Sequence, residues 1–216
     1  MKKYLVSILA AVALVPMNAQ ALVGFGLEAG YASWSQSATG SMGGTNVGPT
    51  SSSPGMLWLE AEHPVPLLPN LRYGSANMSV GDATNGLNLA TTDTVVYWNP
   101  WDTLFTIDFG LGVRSFVGDV TIAGLSSTLP GAIPVTYYNL AGKIPGLDLT
   151  VGYRYTGLSG SGQGVTSTEM YVNYSFAFGL GVTAGMRDDA ITFDSGGTGI
   201  DISGGGMFIG VMYKLD

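Results

Sequence analysis

From Val23 to Trp34 the odd positions carry Val23, Phe25, Leu27, Ala29 and Tyr31, and the even ones carry Gly24, Gly26, Glu28, Gly30 and Ala32. A repeat of two puts successive side chains on opposite faces of an extended strand. The pattern returns along the chain. Leu57, Leu59 and Ala61 oppose Trp58, Glu60 and Glu62, while Phe105, Ile107, Phe109, Leu111 and Val113 oppose Thr106, Asp108, Gly110, Gly112 and Arg114. Val151, Tyr153 and Tyr155 oppose Gly152, Arg154 and Thr156; Met170, Val172 and Tyr174 oppose Glu169, Tyr171 and Asn173; Leu180, Val182, Ala184 and Met186 oppose Gly181, Thr183, Gly185 and Arg187.

The polar faces decide between two architectures. All four arginines, Arg72, Arg114, Arg154 and Arg187, fall on the face opposite the apolar one, together with Glu28, Glu60, Glu62, Asp108 and Glu169. A soluble β-sandwich also alternates, but it turns its polar face to water and fills it with charge. Here charged residues are 11% of the chain, against roughly 25% in ordinary soluble domains. Glycine supplies 33 of the 216 residues. A sparse, glycine-rich polar face fits an enclosed lumen, and an apolar face fits lipid. The expectation is an all-β fold, an antiparallel transmembrane β-barrel, because closure leaves no unpaired backbone in hydrocarbon.

Candidate strands are 23 to 34, 55 to 63, 70 to 79, 91 to 99, 103 to 116, 132 to 141, 147 to 157, 166 to 176, 179 to 190 and 200 to 215, which makes about ten. An even number returns both termini to the periplasmic side. Short connections at Pro64 to Pro69, Asn99 to Asp102, Lys143 to Gly146 and Phe176 to Gly179 alternate with longer ones near 35 to 54, 80 to 90, 117 to 131, 158 to 165 and 188 to 199, predicting periplasmic turns and outer loops. Alternation is poorest over 70 to 79 and 91 to 99, so eight strands with one longer excursion is the alternative. Residues 35 to 55, rich in Ser, Thr and Gly, read as a flexible outer loop. Tyr97, Trp98, Trp101, Tyr137 and Tyr138 lie near strand ends, where amphipathic rings form a girdle at the headgroups. The segment from Phe109 to Val113 recurs from Phe178 to Val182, weak evidence of duplication.

Ahead of the barrel domain, residues 22 to 216, stands a leader. Lys2 and Lys3 precede the apolar run Tyr4 to Val15, and Ala19-Gln20-Ala21 reads as a signal-peptidase site, giving a signal peptide over residues 1 to 21. About a dozen apolar residues fall short of the roughly 20 that a spanning helix needs. Net charge is −7 with pI near 4.4, and losing Lys2 and Lys3 makes the chain more acidic still, which excludes nucleic acid as a partner class. The absence of Cys excludes thiolate metal sites and cysteine nucleophiles.

Little catalytic chemistry is legible. His63 is the single histidine; it precedes Pro64 at a predicted turn, away from the outer rim, and is read as a turn residue. Asp188, Asp189, Asp194 and Asp201 among glycines lack EF-hand spacing and read as an acidic loop rather than a calcium site. Gly24-Phe25-Gly26 lacks the helix that a dinucleotide fingerprint requires. No catalytic residue, cofactor or metal is expected.

Glu62-His63-Pro64, Pro66-Leu67-Leu68-Pro69-Asn70 and Asp108-Phe109-Gly110-Leu111-Gly112 with Arg114 resemble a family of small proteobacterial outer-membrane β-barrel proteins found in genomes with the GlyGly-CTERM sorting system. The likeness spans the mature chain and implies location and fold, with no activity to carry over. Such barrels usually end on an aromatic residue read by the outer-membrane assembly machinery; this chain ends Tyr213-Lys214-Leu215-Asp216. The expected partners are outer-membrane lipid, lipopolysaccharide and that machinery, in a Gram-negative outer membrane. The expected function is a structural or narrow-channel role with a lumen braced by Arg and carboxylates. The alternatives are a conduit for small hydrophobic solutes, which inward Arg and Glu oppose, and an omptin-like surface enzyme, which lacks an outer-loop His. N-terminal sequencing of the protein recovered from outer membranes is expected to begin at Leu22; a chain still carrying Lys2 would refute the leader.

Overall fold

The computed structural model describes residues 25–65, 68–81, 86–122, 125–128, 131–160, 163–195 and 198–215. The expected leader and the chain's last residue lie outside them. The strands are β1 (Gly26–Met42), β2 (Thr45–Ser52), β3 (Gly55–Glu62), β4 (Asn70–Gly81), β5 (Gly86–Asp102), β6 (Phe105–Ile122), β7 (Leu125–Thr128), β8 (Ala132–Ile144), β9 (Leu149–Gly160), β10 (Gln163–Ser175), β11 (Leu180–Ser195) and β12 (Thr198–Leu215). All pairings are antiparallel, and β12 pairs with β1 from Leu27 opposite Leu215 to Met42 opposite Ile200, which closes the sheet.

Ten staves ring the lumen, since two of them are broken. Strand β3 pairs with the first half of β1 and β2 with its second half. Likewise β8 pairs with the first half of β6 and β7 with its far tip. The eight-strand alternative is thereby set aside, and the two weakly alternating segments are full strands, β4 and β5. Both described chain ends lie at one end of the barrel, here the terminal end, with the turns after β3, β5, β8 and β10; the hairpins after β1, β4, β6, β9 and β11 form the far end.

Glycine lets bulky rings lie flat against the wall. A Cβ at Gly30 would overlap the Trp58 indole, its cross-strand partner, and one at Gly152 would overlap the Tyr171 phenol. Rings folded over a neighbouring glycine fill the lumen without pushing the staves apart.

Alternation persists along the long strands, but its chemistry reverses. On β11, Leu180, Val182 and Met186 face outward and Thr183 and Arg187 inward; beyond them Asp188, Thr192 and Asp194 are outward, and Ile191 and Phe193 are buried inside. On β12 the outward Met207, Ile209 and Val211 give way to Asp201 and Ser203, with Ile200 and Ile202 inside. The half near the terminal end is therefore built for lipid outside and polarity inside. The far half has the arrangement of a water-soluble barrel, apolar within.

That reversal corrects several expectations. Residues 35 to 55 are no flexible loop: β1 runs to Met42, turns at Gly43 and Gly44 with φ of 58° and 85°, and returns as β2. Positive φ at both central residues is the hairpin geometry that glycine supplies without steric cost. The described residues of the segments 80 to 90, 117 to 131, 158 to 165 and 188 to 199 are mostly strand extensions as well, and residues 82–85, 123–124, 129–130, 161–162 and 196–197 of those segments lie outside the described residues. The turn expected at Asn99 to Asp102 belongs to β5, which bulges between Trp98 and Trp101 and turns at Thr103 and Leu104. Tyr97 and Tyr137 leave the girdle, for both are fully buried in the lumen with ring centroids 5.6 Å apart. Trp101 and Tyr138 are exposed on the outer wall. The repeat of Phe109 to Val113 is not structural, since Phe178 stands at φ 67° in the turn before β11 whereas Phe109 is mid-strand.

Val182→Arg places a charge in the apolar belt and is expected to cost about 2–4 kcal/mol. Thr192→Arg, on the same strand and face but beyond the belt, should cost at most about 1 kcal/mol. Reversible denaturation in lipid vesicles measures both, and equal penalties would remove the belt boundary drawn here.

Candidate functional site

The lumen carries three successive tiers. In the middle, side chains of opposite sign join into one chain: Arg72 pairs with Glu60, Glu60 Oε1 accepts from Arg154 Nη2 at 3.4 Å, and Arg154 Nη1 donates to Glu169 Oε2 at 2.8 Å. Arg187 Nη1 donates to the other Glu169 oxygen at 2.6 Å and its Nε to Asp189 at 3.1 Å. Strands β3 and β9 stand on opposite sides of the ring, so the contact between Glu60 and Arg154 crosses the whole lumen. Three of these guanidiniums also lie over aromatic faces: Arg154 over Tyr171 at 4.9 Å, Arg187 over Trp34 at 5.4 Å and Arg72 over Tyr137 at 6.0 Å. Such stacking holds a desolvated cation through the ring quadrupole.

Arg114, fully buried, makes a separate two-pronged pair with Asp93, Nε and Nη2 each donating at 2.6 Å. This fork geometry is the strong form of an Arg–carboxylate contact. The middle tier leaves a cavity of about 40 Å³ bordered by Arg72, Arg154, Arg187, Glu28, Asp93 and Glu169. A water needs roughly 10–15 Å³ of such space, so a few waters fit and no solute does.

Beyond the ions, toward the far end, the lumen is plugged with hydrocarbon. Met42, Met78, Leu89, Phe116, Ile133, Val165, Ile191, Phe193, Ile200 and Ile202 are buried in one cluster. Phe116 of β6 meets Phe193 of β11 edge to face at 5.5 Å.

Toward the terminal end three carboxylates are held by neutral hydrogen-bond donors rather than by salt bridges. Glu28 accepts from Trp58 Nε1 at 2.9 Å, Glu62 from the Tyr97 hydroxyl at 3.0 Å, and Asp108 from Asn139 Nδ2 at 2.8 Å. Lys214 lies opposite Glu28 across β12 and β1 at the same end. Tyr171 donates to Asn139 Oδ1 at 2.8 Å, tying it to the middle tier.

The structure brings Glu60, Arg72, Arg154, Glu169 and Arg187 into one network, while Arg114 stands apart and Glu28, Glu62 and Asp108 lie beside it. Asp93 and Asp189, the counterions of Arg114 and Arg187, were missed by the sequence reading. Asp189 follows Arg187 by two positions and so shares its face, a signal available in the sequence. The neighbouring Asp188 points outward, so the acidic run does not gather as one loop. Among the described residues no three His, Asp or Glu converge in a metal-binding arrangement. His63 Nδ1 accepts from the Val65 amide at 3.1 Å, and its own amide donates to Asn70 Oδ1 at 3.1 Å, so the ring staples the turn after β3.

No family model matches the chain, and no curated protein matches it. Solved structures do. Neisserial surface protein A is 14% identical, with 89% of this chain and 97% of that one covered at a TM-score of 0.38. The translocator domain of the autotransporter NalP from Neisseria meningitidis is 12% identical, covering 94% and 96% at 0.37. The P. putida toluene transporter TodX is 10% identical, covering 89% and 90% at 0.33.

Arg114→Ala strands the Asp93 carboxylate in the lumen and is expected to cost about 3–5 kcal/mol, the range for breaking a buried pair. Adding Asp93→Leu should recover most of it. Reversible denaturation of the single and double variants tests this; a loss below about 1 kcal/mol, as for exposed pairs, would mean a water-filled lumen.

Proposed function

We propose that this chain is a non-enzymatic outer-membrane barrel whose resting lumen is closed, serving a structural role or at most as a narrow channel. The reading places the terminal end in the periplasm and the far end outside a Gram-negative cell, with outer-membrane lipid, lipopolysaccharide and the assembly machinery as partners. Membership of the small proteobacterial family resembled by its sequence belongs to the same proposal. The observation that carries it is the double closure: an ion network reaching across the lumen, with space for a few waters within it, then an apolar plug.

Each closure stops a different solute. An ion crossing the plug would lose hydration without gaining a partner. A hydrocarbon entering from the far end would be at home in the plug and would then meet buried guanidiniums and carboxylates. A conduit for small hydrophobic solutes is favoured by the apolar far half alone and requires an exit through the wall above the charged tier. A hydrolytic role that used the histidine as base is disfavoured, since His63 is bound into a turn.

Purified barrel in planar bilayers is expected to give no large steady conductance in salt solution. Phe116→Ala combined with Phe193→Ala, which thins the plug, should raise leak events while heat-modifiable gel migration stays intact. A large steady conductance of the unmodified protein would make it an open porin.

A further inference from the structure

Beyond the apolar belt the wall is not laced along its whole height. Strands β3 and β4 pair from Ala61 opposite Leu71 to Met56 opposite Ala76, and β4 then runs on to Gly81 with no strand paired to it on that side among the described residues. The neighbouring stave breaks at Ser53 and Pro54, where proline has no N–H to continue a ladder. Its second piece, β2, pairs with β1 alone. A seam therefore lies between β2 and the edge of β4 from Asn77 to Gly81. Hydrocarbon would forbid it, but Asn77 is exposed on the outer face there, which sets this stretch above the lipid.

Two side chains close the seam from within. The Ser79 amide donates to Gln36 Oε1 at 3.4 Å, and Ser52 Oγ lies 3.2 Å from both Gln36 Oε1 and the Ser79 carbonyl, with one proton to give. Gln36 is a buried amide among hydrocarbon. Its Nε2 has no hydrogen-bond partner, and with the tip of Met78 it occupies the space over Gly204 that a side chain would fill. Such a latch opens more readily than a ladder whose bonds must break together. Behind it stand Met78, Met56 and Ala38 of the apolar plug, and unbranched methionine repacks around an apolar guest.

We infer that the seam is a side door, latched by Gln36, through which small uncharged apolar molecules reach the apolar tier of the lumen without crossing the ion network. It supplies the exit through the wall that a conduit for small hydrophobic solutes requires. The axis stays closed. Bilayer conductance reads the axis and the experiment below reads the wall, so the door and the closed-lumen reading fail separately.

The chain has no cysteine, so one introduced thiol reports on one place. Met78→Cys lies on the inner wall at the seam; Ile200→Cys lies in the same apolar tier at the far rim, opposite Met42. Each is made in the full barrel with Gln36 and with Gln36→Ala. In micelles each is labelled by N-phenylmaleimide and, separately, by cationic 2-(trimethylammonium)ethyl methanethiosulfonate, every rate being divided by that of the same thiol in the urea-unfolded chain. The maleimide is expected to label Met78→Cys faster than Ile200→Cys. Gln36→Ala should speed Met78→Cys by about tenfold, the scale of one lost hydrogen bond, and leave Ile200→Cys unchanged. The cationic reagent should stay slow at both sites, since the apolar tier offers it no partner. Heat-modifiable migration verifies folding, and Ala38→Cys, a one-atom addition on the inner wall near Gln36, replaces a Met78 variant that fails it. Faster labelling at Ile200→Cys, an equal rise at both positions, a seam thiol indifferent to Gln36→Ala, or equal entry of the cation would each overturn the inference.

Discussion

A strand that meets hydrocarbon must give every backbone amide a partner on both sides, and this chain satisfies the rule by returning its last strand to its first. The pairing of β12 with β1 runs the length of both strands. Closure fixes ten staves, and ten staves fix a lumen narrow enough for single side chains to cross. Glu60 and Arg154, from opposite sides, meet at 3.4 Å. In a wider ring the same residues would be two separate hydrated charges. Glycine beneath Trp58 and Tyr171 serves the same geometry, letting rings occupy the lumen as tiles on its wall.

Enclosure then governs the chemistry inside. An unpaired guanidinium in such a space is costly, and each of the four has a carboxylate. The sharing is economical: Glu60 and Glu169 each serve two arginines, and aromatic faces hold three of the cations from the side. Four carboxylates thus suffice for four arginines, which leaves Glu28, Glu62 and Asp108 to neutral donors at the terminal mouth. The lumen grades from a polar mouth through balanced ions to hydrocarbon.

Where the chain keeps one chemistry per face, as on β6 from Phe105 to Arg114, the period-two signal reads directly into strand, face and lumen charge. It fades on β5 because the reversal falls within the strand. Leu89, Val95 and Tyr97 are buried inside while Asn88 and Thr94 are exposed outside, so apolar residues do not mark the lipid face there. Asp93 stayed hidden for that reason. The Ser/Thr-rich stretch after Trp34 looked like loop because its outward residues meet water, although β pairing asks nothing of their hydropathy. Its Gly43-Gly44 pair was the legible hint of a hairpin.

The reversal on the far half also sets what the surroundings touch. Strand β12 has 18 residues; at about 3.3 Å per residue and a tilt near 40° it rises roughly 45 Å, against an apolar band about 25 Å tall. Some 20 Å of sheet therefore stands clear of the hydrocarbon by that reckoning. With the far end outside the cell, as proposed, a phage fibre or an antibody would meet a wall of paired strands bearing hydroxyls and aspartates. Recognition there would require little ordering of the barrel, and escape from it would require changing residues that a hydrogen-bonded wall holds in fixed positions.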